Sequence, residues 1–202
     1  MRKTLLTVAG LALFAVPVHG QIAWDGPLLV SPDTPPGWGL YLVDPEYDSG
    51  IGFLTTWRGG GDLGFRLGIA EDSGDDLAVY GGIDYSRRIV TYGNDFPLNI
   101  SWVTGAGFGI GDDAVISLPL GITIGRAFQA ESVMFNPSFA PRMVLDAWLG
   151  DDNRPREDDD INLGLALDFG LDIGFDPGWA IRFGVSGADR DALAIGISFQ
   201  VL

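Results

Sequence analysis

Seven charged side chains are the residues of this sequence that are best placed to do chemistry together. Each is flanked on both sides by apolar or aromatic residues, so all seven share one phase of an alternating pattern. They are Arg66, Asp84, Arg142, Asp146, Asp168, Asp172 and Arg182. The planar guanidinium of arginine matches a carboxylate, and unpaired charges in a narrow interior are costly. We therefore expect an internal ion-pair network, with a narrow cation-preferring pore and a carboxylate catalytic pair as alternatives.

Catalytic side chains other than carboxylates are scarce in the chain. The only histidine is His19, the only lysine is Lys3, and there is no cysteine. Both residues fall in the first 20, so the remainder lacks Ser-His and Cys-His triads, Schiff-base lysines and histidine metal sites. We predict a protein that is not an enzyme and carries no cofactor.

A run of acidic residues in the second half of the chain is the other candidate site. Its carboxylates belong to Asp151, Asp152, Glu157, Asp158, Asp159 and Asp160. Oxygen ligands of this kind bind Ca²⁺ or Mg²⁺, but the run lacks the glycine and the final glutamate of an EF-hand loop. A solvated charge run is the favoured interpretation, and weak binding of divalent cations is the alternative.

The seven charges need strands to hold them, and the clearest predicted strand is 161–175. Its odd positions are all Leu, Ile or Phe, whereas its even positions are Gly, Ala, Asn or Asp. Such alternation places one set on each face of a β-strand, and residues 193–201 repeat it. An apolar outer face combined with a small or polar inner face is typical of strands in a membrane-spanning barrel.

Ten segments of this kind follow one another along the chain. They lie near residues 38–44, 51–58, 63–70, 77–87, 98–108, 114–126, 133–149, 161–175, 179–186 and 192–201. Several connections between them are short and glycine-rich, which is typical of hairpins, and no helical pattern intervenes. The predicted fold class is all-β, an antiparallel up-and-down transmembrane β-barrel of about ten strands, with eight as the alternative count.

The connections of such a meander fall alternately at its two ends, and the charges of the two ends differ. One end, which we call the acidic end, collects connections 44–50, 71–76, 109–113, 150–160 and 187–191. These carry seventeen carboxylates and three arginines, whereas the connections at the opposite end carry four of each. We expect the acidic end, which also has the longest loop, to face out of the cell.

The residues before the first strand divide into two parts. Residues 1–20 have the charged start, the apolar run and the small residues of a secretory signal peptide, with cleavage near Gly20. Residues 21–36 are a lead-in with four prolines, expected to be extended before a barrel of residues 37–202.

No apolar run is long enough for a helical membrane span. The net charge of −15 excludes nucleic acid as a partner.

Over residues 38–202 the pattern resembles small, porin-like outer-membrane β-barrel proteins of Gram-negative bacteria. Aromatic residues near predicted strand ends add to the resemblance: Trp38, Trp57, Tyr85, Trp179 and Phe199. It implies a place in the outer membrane, contact with lipid and lipopolysaccharide, and assembly by periplasmic chaperones and the barrel-assembly machinery. The predicted function is a structural or surface-exposed scaffold with acidic extracellular loops. A narrow cation-preferring passive channel and a soluble exported β-sandwich or lipocalin-like binder are the alternatives.

Overall fold

The computed structural model describes residues 24–44, 51–60, 62–71, 77–111, 114–149, 161–175 and 178–200. The predicted signal peptide and the acidic run at 151–160 lie outside the described residues. Within them, no helix is long and apolar enough to cross a membrane.

The described part of the chain forms eleven β-strands. They are β1 (Gly37–Asp44), β2 (Gly52–Arg58), β3 (Leu63–Glu71), β4 (Leu77–Val90), β5 (Asn99–Ile110), β6 (Ala114–Gly125), β7 (Phe128–Ala130), β8 (Val133–Leu149), β9 (Ile161–Phe175), β10 (Trp179–Ala188) and β11 (Ala192–Gln200). Ten of them coincide with the predicted segments to within a few residues. The sequence did not predict β7, because three residues are too few to show an alternating pattern.

Ten of these strands close into an antiparallel up-and-down barrel. Sequence neighbours pair from β1 to β6 and from β8 to β11, β1 pairs with β11, and β6 pairs with β8. Strand β7 continues β6 after a break at residues 126–127 and pairs with the first residues of β8 in the same register. Because the ring closes, every barrel strand has a neighbour on both sides and the sheet has no free edge.

The two faces of the wall differ as the alternation predicts. Large apolar side chains on all ten barrel strands, such as Leu67, Leu120 and Phe169, point outward and are about half exposed. Glycine, alanine, serine and the charged residues point inward and are mostly buried. The period of two along each strand produces this division, because successive Cβ atoms lie on opposite faces.

Glycines on the inner face make room for two tyrosine rings. The Tyr80 ring lies over Gly68, and a Cβ added at Gly68 would overlap it. The Tyr41 ring covers Gly39 and Gly196 in the same way. Glycine at these positions is therefore a packing requirement, since the missing side chain is the space that the ring fills.

The hydrophobic core lies inside the barrel, where residues 24–36, which we call the luminal segment, pack against wall residues such as Tyr41, Val43 and Leu54. Trp24, Leu28, Leu29 and Val30 are buried there against the wall. The segment enters beside Arg190 at the acidic end, runs through the lumen and reaches Ala127 at the opposite end, where β1 begins. The lead-in expected to be merely extended before the first strand thus fills the barrel interior, a position that its aperiodic, proline-containing sequence did not predict.

Candidate functional site in the barrel lumen

Two bidentate ion pairs cross the inner wall between β8, β9 and β10. Arg142 donates from Nε and Nη2 to the two carboxylate oxygens of Asp168, at 2.6 and 3.2 Å. Arg182 donates from Nε and Nη2 to Asp172, at 2.5 and 2.9 Å, from the directly opposed position of the neighbouring strand. Ser186 also donates to Asp168. All four charged groups are buried, and paired guanidinium forks of this kind satisfy buried carboxylates.

The other three predicted charges lie on the same inner face with different partners. Asp84 pairs with Arg58, and Asp146 pairs with Arg190. Arg66 packs over the Trp24 ring, with 3.8 Å between its Cζ atom and the ring centroid. The seven predicted residues therefore lie in one lumen, distributed over several ion pairs rather than gathered at one centre.

Two arginines of the network were not among the predicted site residues. Arg58 is the last residue of β2 and has the inward phase of that strand. Its direction was therefore predictable in principle, but the mixed composition of β2 made the alternation hard to recognise. Arg190 lies in the turn between β10 and β11, where no strand phase exists to indicate its direction. Its side chain nevertheless reaches Asp146 on β8 and Asp25 on the luminal segment.

These additions change the charge balance of the wall. The inward phase of the sequence predicted four carboxylates and three arginines. Among the described residues, the inner wall has five arginines, of which Arg58 is only partly buried, and the same four aspartates: Arg58, Arg66, Arg142, Arg182 and Arg190 with Asp84, Asp146, Asp168 and Asp172. The inward-facing carboxylates thus no longer outnumber the arginines, and this disfavours the alternative of a cation-preferring pore.

Side chains of the barrel wall donate hydrogen bonds to the main-chain carbonyl groups of the luminal segment. Arg142 donates to the carbonyl oxygens of Trp24 and Gly26, at 2.6 and 3.1 Å. Further donors to the next carbonyls are Arg66 to Leu28 at 2.7 Å, Arg182 to Leu29 at 3.1 Å and Thr123 to Val30 at 2.9 Å. Each of these carbonyls would otherwise be buried without a partner, at a cost of about 1–3 kcal/mol.

Two of these arginines have a double role. In Arg142 and Arg182, N–H groups bind an aspartate of the wall while others bind the luminal segment. The aspartate fixes the guanidinium plane, so the remaining donors are already aimed at the lumen axis. An arginine serves here better than a lysine, because its donors form a rigid fork.

The two ends of the luminal segment are held by its own carboxylates. Asp25 pairs with the buried Arg190 at the acidic end. Burial lowers the pKa of Arg190, but Asp25 and Asp146 raise it more, so the net shift is upward and the group stays charged at neutral pH. At the opposite end, Asp33 accepts hydrogen bonds from the Asn99 amide at 2.9 and 3.0 Å. The backbone N–H of Ala127 donates to it at 3.0 Å.

Leu29 has a strained backbone in the middle of the segment. Its φ is 55°, in the left-handed region that a leucine rarely adopts. Its side chain lies against β10, where a Cβ added at Gly184 would be 2.7 Å from Leu29 Cδ2. A conformation of this kind costs about 1–3 kcal/mol and persists where surrounding contacts enforce it.

Two small cavities lie in the lumen beside the segment. A cavity of about 30 Å³ lies between the segment and β1 to β3, and another of about 10 Å³ lies beside β9 and β10. These volumes hold at most a few water molecules. Within the described residues, no group of three or more carboxylates or imidazoles is arranged to hold a metal ion.

Comparison with known proteins adds little to this picture. No protein-family model matches the chain, and no curated protein matches it. Among solved structures, the chain is similar to one described as "De novo design of transmembrane beta-barrels". The two are 15% identical, the match covers 84% of this chain and 98% of that chain, and the TM-score is 0.37. The barrel assignment therefore stands on the strand pairing itself.

Proposed function

We propose that this protein is a non-enzymatic β-barrel that spans the bacterial outer membrane and serves as a structural or surface-exposed scaffold. In this proposal its lumen is sealed by its own luminal segment. The predicted signal peptide would deliver it to the periplasm, where chaperones and the barrel-assembly machinery would insert it. Lipid and lipopolysaccharide would then surround the wall, with the acidic end outside.

The outward face of the wall carries this proposal. Leucine, isoleucine, valine and phenylalanine side chains are exposed on every barrel strand, in a band around the whole circumference. Soluble monomers rarely expose contiguous apolar patches above a few hundred Å². A lipid-facing apolar band over a polar interior is the arrangement of a transmembrane barrel. It disfavours the soluble sandwich or lipocalin-like alternative, in which the apolar face would be the core.

Aromatic side chains at the end opposite the acidic end also support a place in the membrane. Neighbouring strands place rings side by side there: Trp38 and Trp57 at 6.4 Å between centroids, Trp57 and Phe65 at 5.3 Å, Tyr85 and Trp102 at 5.4 Å, and Phe175 and Trp179 at 4.7 Å. Girdles of this kind mark the level of the lipid headgroups in outer-membrane barrels. The periplasmic interface is where this girdle would lie.

Fractionation combined with a heat-modifiability gel tests the membrane-spanning part of the proposal. The protein should sediment with outer membranes and need detergent for release. Its unboiled band should migrate differently from the boiled one, because a folded barrel resists unfolding in the gel. Recovery from the periplasmic fraction without detergent, with one band under both conditions, would contradict the proposal.

Ion conductance distinguishes the scaffold from the channel alternative. The native protein in planar bilayers should give no current steps, since the described luminal segment and the ion pairs fill the barrel. Regular steps from the unmodified chain would instead support a constitutively open passage.

A further inference from the structure

We propose that the luminal segment is a removable closure, and that the barrel without it passes small anions. This rests on the proposed membrane-spanning function and adds a gated activity to it. The ring of ten strands is complete without the segment, since residues 24–36 contribute no position to any strand pairing. Withdrawal of the segment would therefore leave every hydrogen bond of the wall in place.

The wall behind the segment carries many groups that water can satisfy. Its buried side chains include Ser101, Ser117, Thr123 and Asn136 in addition to the charged pairs, beside apolar core residues such as Val43 and Leu54. In a hydrated lumen, water would replace the donors and acceptors that the segment supplied, and the loss on withdrawal falls on the apolar contacts of the core. The strained Leu29 would also relax on withdrawal.

The space released is large enough for ions. An extended chain occupies about 4.7 Å in the hydrogen-bonding direction and about 10 Å across its side chains. The segment runs from one end of the barrel to the other. Its withdrawal therefore opens a continuous passage rather than a dead-end pocket.

The charges that remain in the lumen after withdrawal of the segment determine whether anions or cations pass. With the segment in place, Asp25 pairs with Arg190, and the five arginines of the described inner wall face five aspartates. Withdrawal takes Asp25 away from the lumen and Asp33 away from the exposed Arg88 at the rim, so the inner wall is left with an excess of one arginine. Arg66, Arg142 and Arg182 then lose their carbonyl acceptors, so their N–H groups point into the open lumen. Guanidinium donors in a narrow passage attract anions and repel cations.

The test removes the closure while keeping the chain length. Residues 24–34 are replaced by alternating Gly and Ser, and Ser117→Cys is added as a lumen reporter in a chain that has no other cysteine. Ser117 is buried on the inner wall, and no hydrogen-bond partner reaches its Oγ. The matched control carries Ser117→Cys with the native segment. Three properties are measured: heat modifiability, labelling by a charged maleimide, and current in planar bilayers under a tenfold KCl gradient.

We expect both proteins to remain heat-modifiable, and the replaced segment to raise the labelling rate at least tenfold. Current steps should appear only in the variant, with a reversal potential on the chloride side. Adding Arg190→Gln to the variant should move that potential toward zero, because arginines and aspartates then balance.

Several outcomes would overturn the proposal. If the variant loses heat modifiability while the native-segment control keeps it, the segment is part of the fold and is not removable. If the variant folds but stays unlabelled, or is labelled without current, no passage opens. A potential on the potassium side would refute the anion preference. If the control itself lacks heat modifiability, the membrane-spanning function fails instead.

Discussion

The inner and outer faces of the barrel wall are formed by the same strands, but they require different properties of their side chains. Asp168 and Phe169 are neighbours on β9, yet Asp168 is 4% exposed and accepts hydrogen bonds from Arg142 and Ser186, whereas Phe169 is 55% exposed. The outer residue needs only an apolar surrounding, which many side chains satisfy. The inner residue needs a particular partner at a particular angle. Side chains inside the barrel therefore need specific partners, whereas positions on the outer face tolerate exchange among apolar residues.

The sharpest test of this difference substitutes the two neighbours in turn. Asp168→Ala should destabilise the barrel by about 3–5 kcal/mol, because it leaves the guanidinium of Arg142 buried without its carboxylate. Phe169→Leu, its control on the outer face, should cost only about 0.5–1.5 kcal/mol, because it removes the ring contact with Phe139 at 4.8 Å between centroids. The measurement is the urea dependence of the folded band on unboiled gels. Equal effects of the two substitutions would show that the faces do not differ as described.

A second test asks whether the outer face is tolerant of charge as well as of size. Leu120 lies at the middle of β6 between Thr104 and Met143, whereas Leu149 is the last residue of β8. In a bilayer, Leu120→Arg should cost about 2–4 kcal/mol and Leu149→Arg about 0–1 kcal/mol, since the cost depends on depth. Both side chains are about half exposed, so in a water-soluble protein both substitutions would be nearly neutral. The yield of folded barrel from lipid vesicles under increasing urea gives the two values.

The same contrast explains what could be predicted from the sequence. Strands such as β6 and β9 were predictable, because one face must be apolar along its whole length and so produces a clear period of two. That phase also placed the seven charges inside. It could not give their partners: Arg190 projects from a turn, and the luminal segment has no period at all. Both enter the lumen through contacts between residues far apart in the chain, which local pattern does not encode.

Glycines on the inner face allow a finer test, because only some of them are required by packing. Gly68→Ala should destabilise by about 1–3 kcal/mol, since the new Cβ would overlap the Tyr80 ring. Gly164→Ala, on the inner face of β9, is the control, because the nearest atom to its new Cβ would be Nε of Arg190 at 3.4 Å, an ordinary van der Waals contact. In a Tyr80→Ala background, Gly68→Ala should become nearly neutral. Independent effects of the two substitutions would mean that ring and glycine are not coupled.

The smallest expected effect lies at the rim of the barrel, where the inner face meets solvent. There the inner and outer faces should differ least in their sensitivity to substitution. Arg88 donates to Asp33 at 2.6 Å and to the carbonyl oxygen of Pro32, but it is exposed. Arg88→Ala should cost about 0–1 kcal/mol, since water screens such a pair and Asn99 and Ala127 still hold Asp33. Asn99→Ala is the buried counterpart and should cost more, because Asn99 also accepts from the Tyr92 N–H. If Arg88→Ala proved the more costly in the same urea series, the closure would be held at its solvent-exposed rim. The requirement for exact partners would then extend beyond the buried lumen.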